Sequence, residues 1–513
     1  MSLPPHYYYI NDVRVNSMCI TLEIKNVKNI KHTKIELPMK KGIYAFVGEN
    51  GCGKSTLMLI LSFMVKNSSA RMLDNKDISN DSIIHIKTKK GEDTWCYSNN
   101  KLSRRKPLKG TDGQSNKLNS THMEGFYEGS IFYGCRFDDY NMIDKFMQKS
   151  NYMDALVNAD KFVSEKLGYI LHNNKEYYKG LQKVANRKTA QVNGFKRIPY
   201  FLKCDGGVIS QFRMSSGESM LISLIDFINN LVEKNKKSDD LLILIDEVEL
   251  ALHPSAINRL ILFLEELVND KNKNLIIYFS THSSEVIHRI GPDNLFLLEN
   301  NNGELICTNP CYPNYAVRNL YIHNGYDFLL LVEDELTKAV VDKVIKEDNL
   351  AESKLCCVLP AGGWDQILKL RNDIVMYNAL GNCKQILCIF DGDVKDIVQN
   401  KEDYKNTPKC FIPVPSIEKY LKKKCIDKVD EKFIKYIGDK YFNQRSLKDI
   451  ISDYKNDGGE DKDGKKFYKS LIGELSRIGK TKEVFVRDFC DDIFKFEDVS
   501  NFRESLRKLL KKW

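Results

Sequence analysis

The sequence lacks long apolar runs and lacks an export signal. No window reaches the roughly 18 consecutive apolar residues that a membrane-spanning helix needs. The N-terminal stretch MSLPPHYYYINDV has no basic region followed by an apolar core and a small-residue cleavage site. The sequence therefore predicts a cytoplasmic protein without a membrane partner.

The 14 cysteines follow no regular spacing, and neither Cys307/Cys311 nor Cys356/Cys357 has the spacing of a paired zinc knuckle. A disulfide framework and a cysteine zinc site are therefore not expected. The formal charge of +9 is modest for 513 residues, so it permits a polyanionic partner without requiring one. The segment from Lys101 to Lys117 carries six Lys or Arg against one Asp, which fits either a solvated loop or a loop that contacts phosphates.

The length exceeds that of a usual single domain, and the apolar pattern predicts a first domain at residues 1–320 and a second at residues 321–513. In the first, apolar strands at 241–245 and 275–279 flank a helix that begins near Pro254, which is the order of an α/β domain with a parallel sheet. Residues 140–200 have a polar helical pattern and are predicted to be an inserted helical segment. A hairpin that turns at Asn302-Gly303 is predicted near the end of this domain.

The segment GENGCGKST matches the phosphate-binding loop pattern and lies between a predicted strand and a predicted helix. Its glycines let backbone N–H groups turn toward phosphates, its lysine reaches the terminal phosphates, and Ser55 can ligate Mg²⁺. The motif predicts that ATP binds here. The predicted contact residues are Asn50, Gly51, Gly53, Lys54, Ser55 and Thr56.

Motifs further along the chain supply the remainder of a nucleotide site. The strand in LLILIDEVELALHP ends in Asp246 and Glu247, so one carboxylate can hold the Mg²⁺ shell and the next can polarise the attacking water. His282, in STHS at the end of the next strand, is placed to sense the terminal phosphate. The segment MSSGES offers hydroxyls and a glycine before an apolar helix. Its predicted contact residues are Ser215, Ser216 and Gly217.

Together these motifs resemble the ABC-type ATPase head that structural-maintenance and recombination ATPases share. The resemblance covers roughly residues 18–310, and it implies that the SSGE-type signature completes the ATP site of an opposite subunit. It therefore implies a homodimer or a higher oligomer, with the inserted helical segment in dimerisation. The glutamine-bearing loop of that family has no evident match in Phe132 to Tyr140.

Two apolar strands in the second half of the chain end in acids. One ends at Glu333, in LLLVEDELTKAVVDKVI, and the other at Asp391 and Asp393, in ILCIFDGDVKD. Because the carboxyl ends of parallel strands form the ligand-binding edge of an α/β sheet, we expect these side chains to converge. Oxygen ligands of this kind suit Mg²⁺ or Mn²⁺, and a solvated acidic strand end is the alternative interpretation.

The order of Glu and then Asp-x-Asp resembles the TOPRIM domain of topoisomerases, primases and certain nucleases. An ABC-type head followed by TOPRIM resembles the OLD (overcoming lysogenisation defect) family of ATP-linked nucleases, which includes the Gabija nuclease subunit and retron-associated effectors. The resemblance implies two metals, with Ser416 and Glu418 in PVPSIEKYL beside the second. It also implies a catalytic lysine in DGKKFYKSL, for which Lys466 is preferred over Lys465.

The sequence departs from the TOPRIM pattern after its first acid. Asp334 stands where a glycine is usual, and Thr337 stands where an acid is often found. Either Glu335 replaces that acid as a metal ligand, or the site has fewer ligands.

The resemblance predicts an ATP-regulated, divalent-metal-dependent endonuclease that cleaves DNA and acts in anti-phage defence. A retron RNA or DNA, or an accessory defence protein, is an implied partner. One alternative is an ATP-dependent nucleic-acid-binding or gating protein with a degenerate TOPRIM domain. Another is a TOPRIM nuclease that cleaves RNA. Topoisomerase chemistry is disfavoured, because no separate domain that would carry a nucleophilic tyrosine is evident.

Overall fold

The computed structural model divides into two compact units, Met1–Ile322 and His323–Trp513. Most of the basic segment between Lys101 and Lys117, and part of the segment in which the glutamine was sought, lie outside the described residues. The structure describes residues 19–98, 101–105, 120–128, 136–195, 197–204, 206–233, 240–249, 252–269, 274–318, 320, 325–380, 385–401, 404–457 and 460–511.

In the described part of the N-terminal unit, eleven strands form one mixed sheet. These strands are β1 (Cys19–Val27), β2 (Ile30–Pro38), β3 (Gly42–Val47), β4 (Ile78–Thr88), β5 (Gly91–Ser98), β6 (Lys101–Arg104), β7 (Glu124–Glu128), β12 (Leu241–Ile245), β13 (Leu275–Ser280), β14 (Leu295–Asn301) and β15 (Glu304–Thr308). Their order is β6-β5-β4-β1-β2-β15-β14-β3-β13-β12-β7. The half from β14 to β7 is parallel, whereas β1, β2, β4, β5 and β6 pair antiparallel with one another. Between the two halves, β15 pairs antiparallel with β14 and parallel with β2.

The parallel half forms because its strands are apolar on both faces. All residues of β12 and β13 are buried, as expected for strands that helices cover on either side. On β3, Ile43, Ala45 and Val47 enter one apolar cluster, whereas Tyr44 and Phe46 enter the other. The helices of this unit are α1 (Lys54–Leu61), α2 (Arg136–Met147), α3 (Lys161–His172), α4 (Arg187–Val192), α5 (Ser216–Glu233), α6 (Pro254–Asn269), α7 (Ser284–Arg289) and α8 (Pro313–Val317).

Two local predictions for this unit are confirmed. The order β12, α6, β13 is that of a parallel strand–helix–strand unit, with Leu241 paired to Leu275. The predicted hairpin joins β14 to β15, and both turn residues have positive φ, 55° at Asn302 and 100° at Gly303. Asn followed by Gly tolerates this backbone conformation, which tight hairpin turns require.

The predicted helical insertion at residues 140–200 does contain helices, but it also contains short strands that the sequence pattern did not indicate. Besides α3, α4 and part of α2, this region contributes to a separate antiparallel sheet. In the described residues this sheet has four strands, β8 (Leu156–Asn158), β9 (Leu181–Val184), β10 (Tyr200–Cys204) and β11 (Gly207–Ser210). Strands of three to five residues are too short for their alternation to stand out against the polar helical pattern around them.

The C-terminal unit begins with alternating strands and helices. In its described part, four parallel strands have the order β17-β16-β18-β19, and the bounds are β16 (Phe328–Val332), β17 (Cys356–Pro360), β18 (Gln385–Phe390) and β19 (Lys409–Phe411). The helices are α9 (Glu335–Glu347), α10 (Trp364–Met376), α11 (Lys395–Gln399), α12 (Ile417–Lys422), α13 (Glu431–Tyr441), α14 (Leu447–Asn456), α15 (Lys465–Arg477), α16 (Lys482–Phe496) and α17 (Ser500–Leu510). Among the residues that the structure describes, no helix combines the length and apolar character needed to cross a membrane.

Candidate nucleotide and metal sites

The phosphate-binding loop joins β3 to α1, as the sequence predicted. Three of its glycines have positive φ, 153° at Gly48, 80° at Gly51 and 116° at Gly53, a region that side chains disfavour. At Gly48 a Cβ would lie 2.2 Å from the carbonyl oxygen of Leu298, so close packing also excludes a side chain there. The other predicted loop contacts surround these glycines, and they are exposed Asn50, half-buried Ser55 and buried Thr56.

Lys54 is held inside the loop. Its Nζ donates hydrogen bonds to the carbonyl oxygens of Gly48 and Glu49, both at 2.9 Å, and the residue is only 5% exposed. Burial lowers the pKa of Lys54, and nearby negative charges, including Asp246 and Glu247, act in the opposite direction. A buried ammonium at the N-terminus of α1, directly after a glycine-rich loop, is suited to an anionic ligand.

The acid pair follows β12 and is bonded to the end of β13. Asp246 is 2% exposed, and its Oδ1 accepts a hydrogen bond from the hydroxyl of Ser280 at 2.5 Å. The backbone N–H of Glu247 donates to the same hydroxyl oxygen at 2.8 Å. Burial raises the pKa of Glu247, and the charges of Asp246 and Glu249 add to the shift. A carboxylate with a raised pKa accepts a proton from water more readily.

His282 lies just beyond β13, where the sequence placed it. Its backbone N–H donates a hydrogen bond to Oε1 of Glu249. Burial lowers the pKa of His282, and the positive charge of Lys54 adds to the shift, so the imidazole is neutral at pH 7. Sequence reasoning missed Glu249, whose Oε2 is buried and lacks a hydrogen-bond partner within the described residues. Its signal was the second Glu of IDEVE.

The predicted signature lies at the N-terminus of α5, with Ser215 and Ser216 exposed and Gly217 buried. A reciprocal capping box holds it, because the Ser215 Oγ accepts from the Glu218 N–H at 3.2 Å and Glu218 Oε2 accepts from the Ser215 N–H at 2.7 Å. Tyr178 donates its hydroxyl to the other oxygen of Glu218 at 2.6 Å. The exposed serines therefore project from a rigidly held helix terminus.

The structure brings the acids of the C-terminal unit to one edge of the sheet. β16 and β18 are adjacent and parallel, and the backbone N–H of Asp391 donates to Oε1 of Glu333 at 2.9 Å. Asp391 is 5% exposed, and burial raises its pKa to about 8, with the charges of Asp334, Glu333 and Asp393 contributing. Burial also raises the pKa of Glu333. The edge therefore concentrates negative charge.

Gly392 separates the two aspartates because another segment passes close to it. Its N–H donates to the carbonyl oxygen of Val414 at 2.7 Å, and a Cβ would lie 2.9 Å from the carbonyl oxygen of Ile412. Tertiary packing therefore accounts for the glycine between the acids.

The two departures from the TOPRIM pattern are bonded to each other. Asp334 is the N-cap of α9, and its Oδ1 accepts from the Thr337 N–H at 2.8 Å. The hydroxyl of Thr337, which is fully buried, lies 3.0 Å from that oxygen and 2.7 Å from Oδ1 of Asp391. Glu335 is exposed on the first turn of α9, and its charge acts on Asp342 of the same helix. At the position where an acid is often found, a hydroxyl therefore contacts Asp391.

Among the described residues, Lys419 contacts Asp393, whereas Lys466, the predicted catalytic lysine, lies elsewhere. Its Nζ lies 2.8 Å from Oδ2 of Asp393 and 3.7 Å from Oδ1 of Asp463. Lys466 is exposed on α15 and lines a cavity of about 460 Å³ with Arg445 and other charged side chains. Sequence reasoning missed Lys419, although it directly follows Glu418 in SIEKYL.

Ser416 and Glu418 lie at the start of α12, with Ser416 as the N-cap residue. The charges of Glu418 and Asp334 both act on the hydroxyl of Tyr468, which is buried and has no hydrogen-bond partner within the described residues.

The sheet edge that carries Glu333, Asp391 and Asp393, the acidic edge, has oxygen donors suited to a divalent cation. The present hydrogen bonds of these carboxylates are not those of a metal site. Within the described ranges, no group of three or more His, Cys, Asp or Glu side chains is arranged to hold a metal ion. Each carboxylate is bonded to a protein donor instead, Glu333 to the Asp391 N–H, Asp391 to Thr337 and Asp393 to Lys419. The oxygen donors suit Mg²⁺ or Mn²⁺, and a cation would offset both the burial and the repulsion between carboxylates that raise the pKa of Asp391. Binding would require the carboxylates to exchange these partners for the ion.

Comparison with known proteins finds similarity over part of the N-terminal unit. Residues 106–287 match a family model described as an AAA ATPase domain. The Retron Ec83 probable ATPase of Escherichia coli is 32% identical over 156 residues, which cover 28% of this chain and 28% of that protein. The chain thus spans little more than a quarter of the length of this relative.

Several solved structures are similar over part of the chain. The Smc head domain of Pyrococcus furiosus, solved with the C-terminal domain of ScpA, is 13% identical and covers 57% of this chain and 96% of its own, with a TM-score of 0.36. The SMC head domain of Thermotoga maritima is 13% identical, with coverage of 57% and 98% and a TM-score of 0.30. The recombination mediator protein RecF with ATP is 14% identical, with coverage of 57% and 97% and a TM-score of 0.31. Sequence identities and TM-scores this low give no information about the nucleotide site.

The family match lies within the N-terminal unit, after the phosphate-binding loop and across the acid pair. The phosphate-binding loop that holds Lys54 and the match to an ATPase family model both indicate ATP as the ligand. The N-terminal unit therefore contains an ATPase domain, which binds ATP.

Proposed function

We propose that this protein is an ATP-regulated, divalent-metal-dependent endonuclease that cleaves DNA phosphodiester bonds and acts as an anti-phage defence effector. The observation that carries the proposal is the meeting of Glu333 with Asp391 and Asp393 at the carboxyl edge of a parallel sheet. The likeness to a retron ATPase supports the defence role, with a retron RNA or DNA, or an accessory protein, as a partner.

Glu333, Asp391 and Asp393 would hold the divalent cation, with Ser416 and Glu418 at its border. When bound, such a cation activates a water molecule and stabilises the departing oxygen of a phosphodiester. Thr337 orients Asp391 through its hydroxyl. Lys419 is a better candidate for the catalytic lysine than Lys466, because its ammonium already lies against Asp393.

The N-terminal unit supplies the control. Lys54 and Ser55 bind the ATP phosphates and Mg²⁺ together with Asp246, while Glu247 polarises the attacking water and His282 contacts the terminal phosphate. The exposed signature at the start of α5 completes the site of a second copy, so the working form is a homodimer or a higher oligomer. Its capping box and the Tyr178 hydrogen bond support this role, because they present the serines outward in a fixed geometry.

A cleavage assay of the full chain tests the nuclease. Supercoiled plasmid is incubated with Mg²⁺ or Mn²⁺ and with wild-type protein, Glu333→Gln or Asp391→Asn. Asp396→Asn is the matched control, because Asp396 is an exposed acid on α11, close in sequence to the site. We expect the two site variants to lose roughly 100-fold or more in rate and the control to keep wild-type activity. Cleavage by Glu333→Gln at the wild-type rate would falsify the proposal, and a parallel RNA substrate separates DNA from RNA cleavage.

A second candidate is a gating protein in which the ATPase clamps nucleic acid and the acidic edge is catalytically inactive. Two observations favour it, the threonine at position 337 in place of an acid and the bonding of all three carboxylates to protein donors. It predicts ATP-dependent association with DNA and no cleavage with any divalent metal. A filter-binding assay run beside the plasmid assay distinguishes the two functions.

A further inference from the structure

Ser280, the last residue of β13, is bonded to the segment that carries the acid pair. Its hydroxyl donates to Oδ1 of Asp246 at 2.5 Å and accepts from the backbone N–H of Glu247 at 2.8 Å. Its carbonyl oxygen accepts from the N–H of Val248 at 3.2 Å. Ser280 is 0% exposed, so water does not compete for these bonds. One buried serine therefore contacts three consecutive residues at the end of β12.

Glu247 needs such support, because its backbone φ is 55°. A residue other than glycine adopts this left-handed conformation at a cost in free energy, and it persists where the surroundings hold it. The conformation turns the chain sharply after β12, directly beyond Asp246. The Ser280 hydroxyl supplies the acceptor for the N–H at this turn, so it stabilises the conformation in which Glu247 is presented.

The same hydroxyl also orients Asp246. A serine has one O–H to donate and two lone pairs with which to accept, so it satisfies both partners at once. Asp246 is 2% exposed, and the direction of a buried carboxylate depends on its donors. Alanine at position 280 would remove both bonds, whereas threonine would keep the hydroxyl.

The next residue extends the connection to the phosphate-binding loop. The N–H of Thr281 donates to the carbonyl oxygen of Phe46 at 3.0 Å, and Phe46 lies near the end of β3, directly before the loop. The end of β13 therefore ties the strand that carries the acids to the strand that carries the loop.

We infer that Ser280 is a positioning residue for ATP hydrolysis, which orients Asp246 as a Mg²⁺ ligand and holds Glu247 where its carboxylate polarises the attacking water. The inference rests on the proposed roles of those two acids. It predicts that removal of the hydroxyl slows the chemical step and leaves nucleotide binding by the loop intact.

The test uses the full chain with Ser280→Ala and Ser280→Thr, and Ser62→Ala as the matched control. Ser62 is also 0% exposed, and its hydroxyl donates to the carbonyl oxygen of Leu59 at 2.6 Å, away from the acids. ATP hydrolysis is measured across ATP concentrations, and binding of a fluorescent ATP analogue is measured without Mg²⁺. For Ser280→Ala we expect kcat to fall about tenfold or more, with KM and analogue binding within about threefold of wild type. Ser280→Thr should recover most of kcat, and Ser62→Ala should keep it.

Three results would overturn the inference. They are a kcat for Ser280→Ala equal to that of wild type, a parallel loss of analogue binding and kcat, and a threonine variant as slow as the alanine variant. A Glu247→Gln variant separates this inference from the proposal beneath it. If Glu247→Gln is inactive and Ser280→Ala is fully active, only the role of Ser280 fails. If Glu247→Gln hydrolyses ATP like wild type, the role of Glu247 fails and the inference fails with it.

Discussion

Removal of the Tyr178 hydroxyl would show how strongly the signature depends on one buried hydrogen bond. Tyr178 is 0% exposed, its hydroxyl donates to Glu218 Oε1 at 2.6 Å, and His172 Nε2 lies 3.1 Å from the same hydroxyl oxygen. Although burial opposes the shift, hydrogen bonds from Tyr178 and Ser215 lower the pKa of Glu218, so the carboxylate is ionised at neutral pH. The change Tyr178→Phe therefore removes a charge-assisted bond, which is worth about 1.5–3 kcal/mol of unfolding free energy.

The functional consequence follows from the capping box. In Tyr178→Phe, Glu218 keeps its bond to the Ser215 N–H at 2.7 Å but loses its second anchor, so the serines at the start of α5 lose their fixed position. A loss of about 1.4 kcal/mol in positioning corresponds to roughly tenfold in rate, and we expect ATP hydrolysis to fall by up to that factor. ATP binding should be unchanged, because the phosphate-binding loop does not use Tyr178. The assays are denaturant unfolding and ATP hydrolysis at increasing protein concentration.

The neighbouring tyrosine provides the control. Tyr177 stacks on His172 with ring centroids 3.7 Å apart, but it is 54% exposed. Tyr177→Phe should therefore behave as wild type within about 0.5 kcal/mol. The reasoning is refuted if Tyr178→Phe hydrolyses ATP at the wild-type rate, or if the two variants lose activity equally.

Three further predictions concern the acids, the lysines and the coupling of the sites. In a thermal-shift assay, Asp391→Asn should have a higher melting temperature than wild type in EDTA. Mn²⁺ should no longer raise the melting temperature of this variant. Burial raises the pKa of Asp391 in the folded protein to about 8, well above the pKa of an aspartate in the unfolded chain. Between these two pKa values, a rise in pH lowers the stability of the wild-type protein, because the buried carboxyl group resists ionisation. The stability advantage of Asp391→Asn should therefore increase between about pH 5 and pH 8. Lys419→Ala should slow plasmid cleavage by about tenfold or more and Lys466→Ala by less, and the reverse order would restore Lys466 as the catalytic lysine. Lys54→Ala should change the response of cleavage to ATP, and an unchanged nucleotide response would refute coupling of the sites.

Several features could be predicted from the sequence because their chemistry is local. The glycines with positive φ, the lysine and the hydroxyls of the phosphate-binding loop lie within nine consecutive residues, Gly48 to Thr56. The meeting of Glu333 with Asp391 was also predictable, because adjacent parallel strands bring their carboxyl ends to one edge. The strands β12 and β13 had an unambiguous pattern because almost every residue in them is apolar.

Other features depend on contacts between distant segments. Lys419 reaches Asp393 from α12, across 26 positions of sequence, whereas Lys466 lies in a different cavity. The strands β8 to β11 are stabilised by pairing with one another and not by their own pattern, so the sequence indicated the helices of that region and missed its strands.

The sequence by itself determined the phosphate-binding loop, the parallel strand–helix–strand unit and the acids at the strand ends, because each depends on residue type and short-range periodicity. Only the tertiary structure decided which side chains complete the sites. Ser280 contacts Asp246 and Glu247 across 34 and 33 positions, and Thr337 contacts Asp391 across 54. The physical reason is that a hydrogen bond requires its donor and acceptor within about 3.5 Å, and at such sequence separations the packing of the sheet alone sets that distance.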